Sequence, residues 1–262
     1  MIRTPRRLLR DSRRLRLSAT LGVDTVARTA LHAHAASRLA LAAARLDAAL
    51  PPGCVALVTG PSGAGKSTLL TSLANRCGSR AIVVRPLSSD ADRLHVAALC
   101  KRLPLDRWAA LLACFGLADA GILLGRVRDL SAGERARLAI AHAAARAEAS
   151  PMRKHGMGVT HEPALPERLQ AHRGSSAQHP CASAQGSCFT LIADEWCSLL
   201  DEHTTRSVAC GAARWAAEHN VRLVCATGRS GAVLNNVDLL ITLDGNGEGG
   251  AQWTVCTSNA AA

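Results

Sequence analysis

The stretch Cys54-Val55-Ala56-Leu57-Val58-Thr59-Gly60-Pro61-Ser62-Gly63-Ala64-Gly65-Lys66-Ser67-Thr68 decides the fold. Its first five residues are apolar in an unbroken run, the pattern of a short buried strand, and they enter a glycine-rich turn. A helix follows, with Leu69, Leu70 and Leu73 on one side and Gly78 near its end. Residues 60–67 satisfy G-x-x-x-x-G-K-[ST]. Glycines let the backbone curl so that successive N–H groups point inward at phosphate oxygens. The helix starting near Lys66 adds its positive dipole end. Lys66 can reach the β- and γ-phosphates, and the Ser67 hydroxyl can coordinate Mg²⁺. Gly60, Pro61, Ser62, Gly63, Ala64, Gly65, Lys66, Ser67 and Thr68 are therefore the expected nucleotide-binding set. A plain Gly-rich turn is the bland alternative, but the position between a strand and a helix is what phosphate binding needs.

Phosphoryl transfer also needs a metal anchor and a group that positions the attacking water. Leu191-Ile192-Ala193-Asp194-Glu195 offers both at the end of a hydrophobic strand. Asp194 is the expected Mg²⁺ residue and Glu195 the catalytic one that polarises water, with Lys66 beside the transferred phosphate. A surface turn or a helix start would use the same two acids without any chemistry.

Outward from these motifs, residues 24–46 repeat Ala and Leu at helical intervals, and Pro51-Pro52-Gly53 ends that region. Ala81–Val84 reads as a second strand leading to Arg85-Pro86. Residues 91–128 read as a compact helical segment broken near Pro104 and Gly116, and Glu134–Ala149 as an Ala/Arg helix. Further strands are expected at 189–193, 221–227, 238–243 and 252–256, with a helix near 204–218. Strands alternating with helices predict an α/β chain with a mainly parallel sheet covered on both faces. Residues 150–187 hold four prolines, four glycines and only five of Ile, Leu, Val, Phe and Met, so they are read as a flexible insertion. His172, His179, Cys181 and Cys188 fall there or at its end, at a spacing that fits no standard zinc site.

Composition narrows the function classes. The 262 residues are 48% hydrophobic but only 2% aromatic, which predicts an aliphatic, helix-rich core. No apolar run approaches the roughly 18 residues of a membrane span. Ala109–Gly125 comes nearest, and Asp119, Gly116 and Gly121 interrupt it. The ten cysteines include no CxxC pair, so reduced thiols and a cytoplasmic location are expected. Net charge is +11, and residues 1–16 carry seven arginines against Asp11 alone. Residues 1–20 are read as a basic arm, able to touch an acidic partner or a nucleic-acid backbone. A solvated N-terminus is the competing reading. With so few aromatics, a base-stacking platform for single strands is excluded.

Leu130-Ser131-Ala132-Gly133-Glu134 before the Arg/Ala helix resembles the LSGGQ signature of ABC-type ATPases. Taken alone it also reads as a helix cap. Ser198-Leu199-Leu200-Asp201 resembles the D-loop of that family, and the four motifs keep the family's order over about residues 50–245. The run 193–201 with Ala226-Thr227 is most similar to the non-transporter branch associated with acetyltransferase domains. The resemblance implies a P-loop NTPase fold with a reduced ABC-type helical subdomain (91–149), within a domain spanning 21–262. It implies ATP and Mg²⁺ as cofactors and ATP hydrolysis, with slow turnover the expectation from this chain's departures from the family pattern. It also implies a homodimer or paired ABC-type subunit. In such a dimer Ser131, Ala132, Gly133 and Glu134 face the partner's nucleotide.

Departures from the family pattern keep other readings open. No Gln lies between Lys66 and the signature, so Arg85-Pro86 stands where a glutamine loop is expected. The switch histidine is replaced by Gly228-Arg229, and no aromatic precedes Gly60 to stack on a base. A non-hydrolysing ATP-dependent clamp, or the ATPase subunit of a membrane transporter, are the alternatives.

Overall fold

The structure is a computed structural model that describes residues 25–150, 188–196, 198, 200–228, 237–244 and 251–255. The basic arm (1–20), nearly all of the insertion (151–187) and Arg229 lie outside the described residues.

Six strands form one sheet: β1 Val55–Thr59, β2 Ala81–Val83, β3 Thr190–Ala193, β4 Arg222–Ala226, β5 Leu239–Leu243 and β6 Ala251–Val255. Their spatial order is β2-β3-β4-β1-β5-β6. All neighbouring pairs are parallel except β5 and β6, as expected of a mainly parallel sheet. Every residue of β1, β3 and β4 is buried. That burial explains why these strands read as continuous apolar runs rather than alternating ones.

The helices of the described chain are α1 Thr25–Ala49, α2 Lys66–Cys77, α3 Val96–Leu99, α4 Leu105–Cys114, α5 Ala120–Leu124, α6 Ala132–Glu148 and α7 Glu202–His219. They cover both faces of the sheet, and the period-2 geometry of the strands sorts the core accordingly. Val55, Leu57, Leu191, Leu223 and Cys225 face a cluster containing Trp108, Phe115, Leu138 and Trp215 from α4, α6 and α7. Ala56, Val58, Ile192, Val224 and Ile241 face the other way, onto Leu39, Leu46, Leu69 and Leu73 from α1 and α2. The short helices α3, α4 and α5 lie between β2 and α6, where the Trp108 indole N–H donates to the Val96 carbonyl at 2.9 Å.

Two contacts hold this arrangement tightly. Gly211 in α7 lies against the end of α4, where an added Cβ would stand 1.9 Å from the Cys114 carbonyl oxygen. Inside β4, Arg222 is 5% exposed and donates to both the Asp47 carbonyl (2.9 Å) and its carboxylate (2.8 Å). Arg76 donates to the other oxygen of Asp47 at 3.0 Å, so one carboxylate joins α1, α2 and β4. Burial alone would raise the Asp47 pKa, but the bonds and charges of Arg222 and then Arg76 outweigh it and hold the group below its usual range.

Candidate functional site

The predicted phosphate-loop residues, the acidic pair and Gly228 follow the carboxyl ends of β1, β3 and β4, on one side of the sheet. Thr59 ends β1 and the loop 60–65 follows it directly. Gly60 has φ +143, and a Cβ there would lie 2.7 Å from the Leu243 carbonyl oxygen of β5, so only glycine fits. Gly65 has φ +95, and its Cα faces Leu39 of α1, whose Cδ1 would be 2.6 Å from a Cβ. The loop closes on itself through Ala64 N–H donating to the Pro61 carbonyl at 3.2 Å. Beside Gly63, no atom of the described residues lies within 4 Å of where a Cβ would stand.

The start of α2 is arranged to receive an anion. Gly65 takes the capping position and offers no side-chain acceptor to the first amides of the helix. Lys66 folds back over the loop, donating to the carbonyls of Gly60 (2.7 Å) and Pro61 (2.8 Å). An ammonium has three N–H donors, so one remains for an incoming phosphate oxygen. Ser67 and Thr68 are exposed beside it.

The acidic pair lies two strands away. β4 is inserted between β1 and β3. With strands about 4.8 Å apart, the turn after β3 therefore stands on the order of 10 Å from the phosphate loop. Asp194 Oδ1 accepts the Glu195 N–H at 3.0 Å, and Glu195 adopts φ +51. That is a left-handed conformation which a non-glycine residue holds at some cost in strain. The next residue anchors the turn: Trp196 N–H donates to the Ala226 carbonyl at 2.7 Å, and its side chain is 3% exposed. The ends of β1 and β4 are linked in turn by Thr227 N–H donating to the Val58 carbonyl at 2.9 Å. Asp194 and Glu195 both remain exposed at the rim. For a magnesium ion, the donors present are the Ser67 hydroxyl and the Asp194 carboxylate. These are the hard oxygen ligands that ion takes.

The signature-like segment stands apart from these loops. Ser131 caps α6: its Oγ accepts the Glu134 N–H at 3.3 Å, while the Glu134 carboxylate accepts from Ser131 Oγ (2.7 Å) and N–H (2.8 Å). These bonds from Ser131 hold the Glu134 carboxyl below its usual range. Ser131 and Ala132 are exposed, with Gly133 half-buried. Among the described residues, no hydrogen bond or ion pair joins residues 131–134 to the phosphate loop. Asp201 likewise caps α7, accepting the Thr204 N–H at 2.9 Å. Gly228 is exposed just past β4. Among the described residues no cluster of three or more His, Cys, Asp or Glu side chains could hold a metal, and of the four insertion candidates only Cys188 is described.

The neighbour of the phosphate loop is not announced by its sequence, since the Ala/Leu spacing of residues 24–46 predicts a helix and nothing more. The structure lays α1 along α2 and sets Leu39 against Gly65, in the part of the chain where a base-stacking aromatic was sought. Only the spacing of Leu39, Leu46 and Leu50 hinted that this helix has a buried face.

No family model matches the sequence, and no curated protein does. Among solved structures, the chain is similar to the ADP conformation of an ATP-binding cassette of an ABC transporter, with 13% identity and a TM-score of 0.51. That alignment covers 79% of this chain and 82% of the other. A nucleotide-free ATP-binding cassette from an ABC transporter aligns with 12% identity and a TM-score of 0.51, over 79% and 83% of the two chains. The chain thus has the ABC-type ATP-binding cassette fold. No helix among the described residues is long and apolar enough to cross a membrane.

Proposed function

We propose that this chain binds Mg·ATP at residues 60–68 and hydrolyses it as a dimer, with slow turnover. The observation that carries the reading is the pairing of an uncapped α2 N-terminus and curled glycine loop with an acidic turn two strands away. The backbone amides of the loop and of the first turn of α2 receive the phosphates. Lys66 gives its third donor to the β- and γ-phosphate oxygens. Ser67 and Asp194 would hold magnesium, which when bound neutralises charge on the phosphate oxygens. Glu195 accepts a hydrogen bond from the attacking water and orients it toward the γ-phosphorus. As the new O–P bond forms, the bond from phosphorus to the β–γ bridging oxygen breaks, leaving ADP and phosphate. Ser131 and the Gly133 amide complete the site from the second subunit. To do so, Ser131 turns its hydroxyl from Glu134 toward phosphate.

The test is ATP turnover by wild type and Glu195→Gln, with oligomer size followed in both. Hydrolysis by wild type, together with an ATP-trapped dimer of the variant, is the expected result. Nucleotide-dependent dimers of both proteins without turnover in either would make the chain an ATP-gated clamp. Absence of nucleotide binding would remove the reading altogether.

A further inference from the structure

A cavity of about 340 Å³ opens between the segment that follows β2 and one face of α6. Ala139, His142, Ala143 and Arg146 line it from α6 at helical spacing i, i+3, i+4 and i+7. Arg85 lines it from the other side, with Leu87 and Leu99 adding apolar wall. Two guanidiniums therefore meet one carboxylate in the lining, that of Asp90. Among the described residues neither Arg85 nor Arg146 has an ion-pair partner, whereas Arg135 one turn away on α6 is paired with Asp92 at 2.5 Å. Burial, and after it the charges of Arg146 and Arg102, hold the His142 imidazole below its ordinary range, a second sign of surplus positive potential in the cavity.

We propose that this cavity is a binding site for a small monocarboxylate with an apolar tail, its carboxylate taken by Arg85 and Arg146 and its tail by the Ala139–Ala143 face and the facing leucines. The chemistry follows from the lining. Arg85 and Arg146 are both exposed at the cavity mouth, and their guanidinium forks match the two oxygens of a carboxylate. Ser88, Asp90 and His142 are the other polar residues of a lining that is otherwise aliphatic. The volume is at the small end of ligand cavities, so a tail of roughly eight carbons is the longest expected.

The location gives binding a consequence. Val84, between the cavity residues Val83 and Arg85, donates its N–H to the Ile192 carbonyl at 2.8 Å, two residues before Asp194. The opposite wall is the helix that Ser131 caps. A carboxylate held by Arg85 and Arg146 therefore joins the segment that follows β2, the partner strand of β3, to the helix that Ser131 caps. Any change in ATP turnover that follows rests on the proposed function, but the binding itself does not.

Titration calorimetry of the full chain without nucleotide tests the site, using octanoate, octanol and acetate as probes. Saturable octanoate binding is expected, with octanol and acetate each at least about tenfold weaker. Arg146→Gln should weaken octanoate about tenfold, the ratio set by one charge-assisted hydrogen bond. Ala139→Leu should block the cavity while both arginines remain, with the melting temperature confirming that each variant is folded. Equal affinity for octanoate and octanol would overturn the proposal. So would unchanged octanoate affinity in folded Arg146→Gln, or no octanoate binding at millimolar concentration. None of these outcomes bears on nucleotide binding, which is read separately with ATP.

Discussion

At Gly60 the chain has no alternative residue. A left-handed φ and a backbone oxygen 2.7 Å from the absent Cβ act together, and the oxygen belongs to β5, which cannot retreat without breaking its pairing to β1. Gly60→Ala is expected to cost about 1–3 kcal/mol. In a chain of this size that corresponds to a fall in Tm of about 3–9 °C in a thermal melt. An unchanged Tm would mean that the loop leaves β1 by another path. Glu195 raises the complementary question at the same scale. It holds a positive φ at the rim of the sheet although glycine would do so without strain. A residue that pays for its backbone while its carboxylate stays exposed is consistent with a role for the side chain. Glu195→Gly should therefore hold or raise Tm while abolishing the turnover that wild type is expected to show.

Helix against helix, the decisive contact is Gly211. A glycine in mid-helix ordinarily costs about 1 kcal/mol relative to alanine, so sequence reasoning alone would recommend Gly211→Ala as a stabilising change. The structure reverses the sign. The Cys114 carbonyl oxygen would be 1.9 Å from the new methyl, and it ends α4, which is buried through Trp108, Leu111 and Leu112. Overpacking of this kind costs up to about 3 kcal/mol, so a net loss near 2 kcal/mol is expected. Denaturant midpoints of wild type and variant measure it, and a gain in stability would show that α4 and α7 are not in this contact. At this scale the sequence was legible where local chemistry decides. The phosphate loop, the Ser131–Glu134 cap and the strand at 190–193 all carry their own turn or period. It was silent where a partner distant in sequence decides. Leu39 against Gly65 and Arg222 with Asp47 depend on two segments meeting, and no periodicity in either segment announces the other.

For the whole molecule, Arg222 adds a charged tie between α1 and the sheet beside their apolar packing. Asp47→Asn would leave the Arg222 guanidinium buried against a neutral partner, and breaking a buried pair from one side costs about 3–5 kcal/mol. The pH dependence has a definite sign. The Asp47 pKa is lowered in the folded state, so its contribution is fully present above the unfolded aspartate value of about 3.9 and is lost as pH falls through the lower folded value. The stability gap between wild type and Asp47→Asn should be constant from about pH 5 to 8 and should close under acid. A gap that instead changed between pH 6 and 8 would assign the effect to another group.

The strand order has one more consequence, in time rather than in space. β1 lies between β4 and β5, whose first residues come 163 and 180 positions after Thr59 at the end of β1. A ribosome adding about 5–20 residues per second therefore finishes β1 roughly 10–30 s before either neighbour exists. Throughout that interval β1, apolar in four of its five residues and with its loop and α2 already made, has no edge to join. The nascent chain must keep Val55–Thr59 covered by α1 or by a chaperone, and ribosome-bound chains arrested before residue 222 should be protease-sensitive throughout.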